Sequence, residues 1–424
     1  MSVPMDSLWP IVLIAFSATL FATLLRWSGV QRPATIAGLL AGALAGPTIF
    51  GRVMPDLYER WYEGGVTQRL ALEELDQRQA ADRAALGSIG DMSPQAFVEL
   101  EERHRLEREP LVEAWSEARA AHREPVLWFG AVLAGLILGW AGPGARRSLM
   151  PSAGEGLFVS LWTIVLSVGV VGVTAVYLVG AEATEGIALG FCFAVTGRVM
   201  APELRSLWRE AQTAGVDADE RSETQRELLY RIRAVGVAEA TSILLWMVAL
   251  FGLVFAVVRP EPSDFMLPAL FVGGMFCGKT LAGARPESKS GLNAFIEVGP
   301  LPALAGLLIA SVDLWSAALI APALLGLIIG ADARWLGAAT GARLVGVRWR
   351  EAWRLTTPLV DAGAVQLATA TLLVAAGWLS TTLMIGAYAG AAMCDLTLGW
   401  RDRLLRLADE ATDLDPESSR DDEA

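Results

Sequence analysis

The sequence is poor in charge, histidine and cysteine. Only 19% of its 424 residues are charged and 54% are hydrophobic, a balance that no soluble domain of this length requires. The three cysteines, Cys192, Cys277 and Cys394, stand singly within apolar runs. Without CxxC pairs or histidine neighbours they argue against a disulfide framework or a zinc site, and they are expected to be small buried hydrophobic side chains.

Motifs of enzymes and of nucleic-acid binding are also missing. The formal net charge is -12, whereas nucleic acid requires basic patches. The chain has no HExxH motif, no Walker motif and no Ser/His/Asp set, and both of its histidines lie outside the long apolar runs. We therefore expect neither an enzyme nor a nucleic-acid-binding protein, and no bound metal or cofactor.

Long apolar runs dominate what is present. A run of about 20 apolar residues spans a bilayer as a helix, which predicts an all-α polytopic protein of the cell's inner (plasma) membrane with the lipid bilayer as its partner. The first run has neither a basic region before it nor a small-residue cleavage site after it, and is expected to be retained. About eleven spans are predicted, over residues 8–25, 34–54, 126–141, 156–179, 185–200, 233–258, 265–283, 291–312, 315–346, 353–377 and 379–398.

The positions of arginine and lysine orient these spans. The short loops on one side carry most of the basic residues, and such loops face the cytoplasm. This places the N-terminus outside and the C-terminus inside. The predicted organisation is two first spans (1–54), an outside helical hairpin (55–125), a transmembrane core (126–400) and an acidic, disordered cytoplasmic tail (401–424).

The hairpin insert is predicted from its composition. Charged helix formers fill residues 57–86, a glycine-rich break follows, and Ser93–Pro94 is a helix start with proline at the first helical position. We expect the second arm to bend at Pro110. Its two histidines, His104 and His122, indicate either a metal site or pH sensor or, as we favour, solvated surface side chains. The hairpin also offers a surface for an outside partner.

A single carboxylate interrupts the apolar run 231–258. Glu239 lies within that predicted span, where an ionisable group is costly and by default marks a functional site. The alternative is a structural carboxylate that is paired to a neighbouring helix or that extends to the cytoplasmic surface.

Three segments carry a resemblance to a known family. They are the proline-led, glycine-spaced segment 32–56, which contains Gly46–Pro47, the glycine-rich segment 271–314, and the segment 341–393. In this order and spacing they resemble the monovalent cation–proton antiporter superfamily, in its Kef/NapA-like branch. The resemblance covers most of the chain apart from the hairpin and the tail.

The resemblance implies a fold and an assembly. Members of this superfamily have two inverted repeats whose broken helices cross near the middle of the bilayer, beside the ion site. Here the fifth span would break near Thr196–Gly197 and the tenth near Asp361–Gly363. The resemblance also implies a homodimer.

The same resemblance assigns roles to charged residues. Glu239 falls where the family has its essential aspartate, and Arg334 falls where many members have a lysine that pairs with it. Each residue lies 19 positions from the predicted outer end of its span, or about 28 Å, so the two share a depth. Protons and Na⁺ or K⁺ would compete for Glu239, the cation would be coordinated with help from Thr196, and Arg334 would hold the empty carboxylate.

Two residues depart from the family pattern. Arg198 lies beside the predicted fifth-span break, and Asp361 stands where Kef-like members often have arginine. An exchanged Arg198–Asp361 pair would accommodate both. The alternative is that Glu239, Arg334, Arg198 and Asp361 form a purely structural network, in a transport-inactive relative that acts as a scaffold or sensor through the hairpin.

The predicted orientation can be tested by cysteine labelling. In a variant without its native cysteines, Ser93→Cys should react with a membrane-impermeant maleimide in intact cells, because it lies in the outside hairpin. Ser418→Cys, in the predicted cytoplasmic tail, should react only after lysis. The opposite pattern would contradict the orientation.

Overall fold

The computed structural model describes residues 8–28, 33–87, 94–141, 153–194, 294–344 and 363–393, with residues 346, 349, 352 and 353. The elements in these ranges are helices, and no strand occurs among them. Four helical segments within them are long and apolar enough to cross a membrane: Leu8–Trp27, Ala34–Val53, Leu161–Val179 and Ala317–Leu344. The predicted all-α class is confirmed for the described residues, and a membrane protein is supported. The count of about eleven spans and the inverted repeat stay predictions.

The helices follow one another with few interruptions. They are α1 (Leu8–Trp27), α2 (Ala34–Ala45), α3 (Phe50–Val53), α4 (Pro55–Tyr58), α5 (Val66–Gly87), α6 (Pro94–Ala141), α7 (Ala153–Thr174), α8 (Ala183–Ala194), α9 (Pro300–Ala310), α10 (Ile320–Leu324), α11 (Ala331–Leu344), α12 (Gly363–Ala375) and α13 (Thr381–Met393). Three π-helical segments extend or join them, at Glu59–Glu63, Ala175–Val179 and Leu325–Gly330, and a 3₁₀ turn at Ala317–Leu319 precedes α10.

The closest helix crossing is between α2 and α9, and α1 packs beside it. Gly38, Gly42 and Gly46 lie four residues apart and therefore on one face of α2 and its C-cap. A Cβ built on Gly42 would lie 2.6 Å from the Gly306 carbonyl oxygen of α9. The absence of side chains here lets the two backbones approach, as in other small-residue membrane-helix contacts.

Polar contacts hold the ends of this crossing. The Thr48 hydroxyl donates to the Val312 carbonyl at 3.4 Å and accepts from the Leu314 amide at 3.1 Å. One turn further on, Arg52 pairs with Asp313 at 3.1 Å. These contacts tie the chain after α2 to the loop after α9, so that both ends of the loop are fixed.

A second group of helices consists of α7, α8 and α11, with α7 against both of the others. Backbone approach again allows the packing, because a Cβ on Gly337 of α11 would lie 2.8 Å from the Cα of Thr163 on α7. Helix α12 contacts α6, α8 and α9. It therefore joins the two groups, and it carries the polar side chain described below.

Helices α5 and α6 form a hairpin whose second arm is unusually long. Helix α6 begins at Pro94, the predicted start, and continues without a break through Pro110 and Pro125 to Ala141, about 72 Å at 1.5 Å per residue. The expected interruption at Pro110 is therefore not seen in the helix assignment. The boundary drawn between residues 125 and 126 falls inside α6, so the hairpin arm and the third predicted span are one helix.

The α2–α9 contact predicts a large effect from one added methyl group. Gly42→Ala should destabilise the protein by about 1–3 kcal/mol, because overpacking forces the helices apart. Gly169→Ala is a matched control, since no atom lies within 4 Å of a Cβ at that position of α7. Thermal unfolding in detergent measures both. Equal melting temperatures for the two variants would contradict the close approach.

Candidate functional site

Arg334 is the charged residue at the centre of the described helices. It lies on α11, within the apolar segment Ala317–Leu344, and its side chain is 0% exposed. The guanidinium Nε donates to the Phe193 carbonyl oxygen at 2.5 Å, and a terminal nitrogen donates to the Gln366 carboxamide oxygen at 3.1 Å. Arginine is effectively always charged, so a positive charge is buried where α8, α11 and α12 meet.

The Phe193 carbonyl is available because of its place in α8. It lies in the last described turn of that helix, where carbonyls have no partner in the described helix and the helix dipole is negative. A cation is stabilised at such an end. The Phe193 ring in turn occupies space left by two glycines, since a Cβ on Gly330 or on Gly390 would collide with it.

Gln366 connects the guanidinium to another helix. Its side chain is 0% exposed, and its Nε2 donates to the Ala387 carbonyl of α13 at 3.0 Å. The amide therefore uses its oxygen towards α11 and its nitrogen towards α13. Four helices, α8, α11, α12 and α13, converge on one buried polar centre, which we call the Arg334 centre (Phe193, Arg334, Gln366 and Ala387).

The two acceptors described here, a carbonyl and a carboxamide, are both neutral. They satisfy donors of the guanidinium and orient its plane, and they leave its net charge in place. A buried charge of this kind is expensive in a membrane and is typical of a functional position.

Of the residues predicted to form the site, the structure describes Arg334. Glu239, Thr196, Arg198 and Asp361 lie outside the described residues, as do Cys277, Cys394 and the predicted tail. The pairing of Glu239 with Arg334 and of Arg198 with Asp361 therefore stay predictions. Cys192 is buried and free, as predicted.

The positions of the partners along the chain are informative. Phe193 precedes Thr196 by three residues, and Gln366 follows Asp361 by five. The described part of α8 ends at Ala194 and α12 begins at Gly363. Arg334 thus contacts the two helices that adjoin the predicted breaks.

Sequence reasoning did not identify Gln366 or Phe193. Gln366 could have been found by the rule that singled out Glu239, because it is a lone amide in the apolar stretch Gly363–Ala375. Phe193 contributes a backbone carbonyl, which no side-chain pattern reveals.

Comparison with known proteins adds no assignment. Neither the protein-family models nor the curated proteins gave a match to this chain. The antiporter resemblance therefore stays a prediction that depends on the segments quoted above.

The two histidines form a second buried polar region, in the hairpin. His104 is 4% exposed and His122 is 7% exposed, so the expectation of solvated surface side chains is wrong. His104 lies between the arms, with its Nε2 3.6 Å from an Asp82 carboxylate oxygen. The expectation treated each arm as an isolated helix, whereas packing of α5 on α6 covers the inner faces. In the described part of the chain no three His, Cys, Asp or Glu side chains group to hold a metal.

His122 secures the turn at the base of the hairpin. Its Nε2 donates to the Trp61 carbonyl oxygen at 2.6 Å. The following Gly64 has a φ of +68° and packs against the His122 side chain, where a Cβ would lie 2.5 Å from the His122 Cβ. Only glycine adopts this backbone at such a close approach without strain.

Aromatic side chains surround this base. The rings of Tyr58 and Tyr62 stack with centroids 4.9 Å apart. Burial, with a smaller contribution from the Glu63 carboxylate, raises the pKa of Tyr58 to about 12, and burial also raises the pKa of Tyr62. Both hydroxyls therefore stay protonated at physiological pH, so the base of the hairpin has no tyrosinate chemistry.

The Arg334 centre predicts an order of stability. Arg334→Ala removes both described hydrogen bonds of a charged donor and leaves a cavity, which should cost about 3 kcal/mol or more. Arg334→Lys keeps the charge but cannot form the same two-directional contact, so its loss should be smaller. Thermal unfolding in detergent measures the order. An Arg334→Ala variant as stable as the unsubstituted protein would contradict the geometry.

Proposed function

We propose that this chain is a secondary active transporter that exchanges protons for Na⁺ or K⁺ by alternating access. The observation that carries the proposal is the fully buried guanidinium of Arg334, which neutral groups of α8 and α12 hold in an apolar segment. A fixed positive charge in the membrane attracts a carboxylate, and a carboxylate that exchanges its partner between Arg334, a proton and an alkali cation is the basis of coupled exchange.

Glu239 is the carboxylate that the sequence offers for this role. Desolvation raises the pKa of such a group and a neighbouring guanidinium lowers it, so that the two effects together bring titration near physiological pH. Thr196 would add a hydroxyl ligand for a dehydrated cation. The exchanged pair Arg198–Asp361 would neutralise the remaining charges beside the site. We also propose the homodimer and the cytoplasmic C-terminus on the resemblance and on the loop charges.

A different function is supported by the hairpin. It is well built, with two buried histidines and ion pairs between its arms, including Arg83–Glu101 at 3.0 Å. Such a structure suits recognition of a partner. The second candidate is therefore a transport-inactive scaffold or sensor that acts through the hairpin.

Proteoliposomes separate the two candidates. Addition of Na⁺ or K⁺ should dissipate a preset pH gradient across pH 6 to 9 with the unsubstituted protein, and Glu239→Gln should abolish this because the amide cannot titrate. Glu297→Gln is the matched control, since it makes the same change in another apolar helix and should retain exchange. If folded unsubstituted protein moves no protons with either cation, transport is contradicted and the hairpin function is favoured.

A further inference from the structure

The orientation of the Gln366 amide is determined by its surroundings. If the amide were flipped, its nitrogen would face the guanidinium of Arg334, and two groups that only donate would meet. The flipped oxygen would also face the Ala387 carbonyl, so that two acceptors would meet. One orientation satisfies both neighbours, with Oε1 on Arg334 and Nε2 on Ala387.

Helix α13 supports both described partners of Arg334 at one point. A Cβ built on Gly390 would lie 3.0 Å from Gln366 Nε2 and would collide with the Phe193 ring. The amide and the ring are therefore packed against the same bare stretch of helix. Little space is left for either one to change its rotamer.

We propose that Gln366 is a positioning residue, which fixes the direction of the Arg334 guanidinium while leaving its charge available to the transport carboxylate. This assignment rests on the proposed transport function. A glutamine suits the role because its oxygen accepts a hydrogen bond without carrying a charge. A glutamate of almost the same shape would also accept, but it would neutralise the guanidinium that it holds.

The decisive variant is therefore Gln366→Glu. A carboxylate at this position should draw Arg334 into a permanent ion pair and add a second negative charge to the site. The transport carboxylate then loses the cation that lowers its pKa, and its pKa rises. Exchange requires the deprotonated form, so the pH of half-maximal exchange should move upward, by about one unit or more.

Thr369→Val is the matched control. It lies one turn further along α12, is buried, and its hydroxyl has no hydrogen-bond partner among the described residues. The substitution preserves the branched shape, so the pH of half-maximal exchange should stay unchanged. A purely structural role of Gln366 would lower the exchange rate of Gln366→Glu equally at every pH and leave the midpoint in place.

The outcomes distinguish the two proposals. Exchange by the unsubstituted protein with an unmoved midpoint in Gln366→Glu overturns the positioning role alone. No exchange by the folded unsubstituted protein overturns the proposed function and the positioning role with it.

A second measurement applies if Gln366→Glu does not fold. In a double-variant cycle, Arg334→Met with Gln366→Met should lower the melting temperature by less than the sum of the two single variants, because each single change leaves its partner unsatisfied. Additive losses would overturn the assignment.

Discussion

The structure depends on one constraint: a guanidinium that cannot lose its proton is buried among apolar helices. Water is not there to solvate Arg334, so protein dipoles must do so, and they must be held in place. The last described turn of α8 supplies a carbonyl, and α12 supplies an amide that α13 holds from behind. The glycines that face Phe193 follow from the same need, since the carbonyl reaches Arg334 only if its own ring can enter between Gly330 and Gly390.

The site also explains why the helices that meet there are short or irregular. A complete helix satisfies its own carbonyls, so a free acceptor for Arg334 has to come from a helix end. On α11 the residues just before Arg334 are π-helical, Leu325–Gly330, and π segments are frequent at functional sites. There the backbone of Gly326 lies directly against that of Gly386. Local irregularity and close packing thus occur together around the buried charge.

Much of this was accessible from the sequence, and the missing part has a common cause. Apolar run length identified the long helices, Ser93–Pro94 identified the start of α6, and an isolated charge in an apolar run identified Arg334. Burial of His104 and His122, the role of Gln366 and the continuity of α6 were not predicted. Each depends on contacts between distant segments or on tertiary support for a proline, and a pattern read along one helix contains no information about its neighbours.

The buried charge also weighs on the choice between transport and scaffolding. A scaffold that acts through the hairpin does not need a guanidinium inside its helices, because an apolar side chain of similar volume packs there without the cost of desolvation. Neutral partners make the arrangement still less suited to stability, since they orient the charge and do not cancel it. Such a centre is useful where the charge is to be shared with a group that changes its own protonation or its bound ion. That is the requirement of coupled exchange, and it is why we place the function at Arg334 and assign to Gln366 the task of holding it.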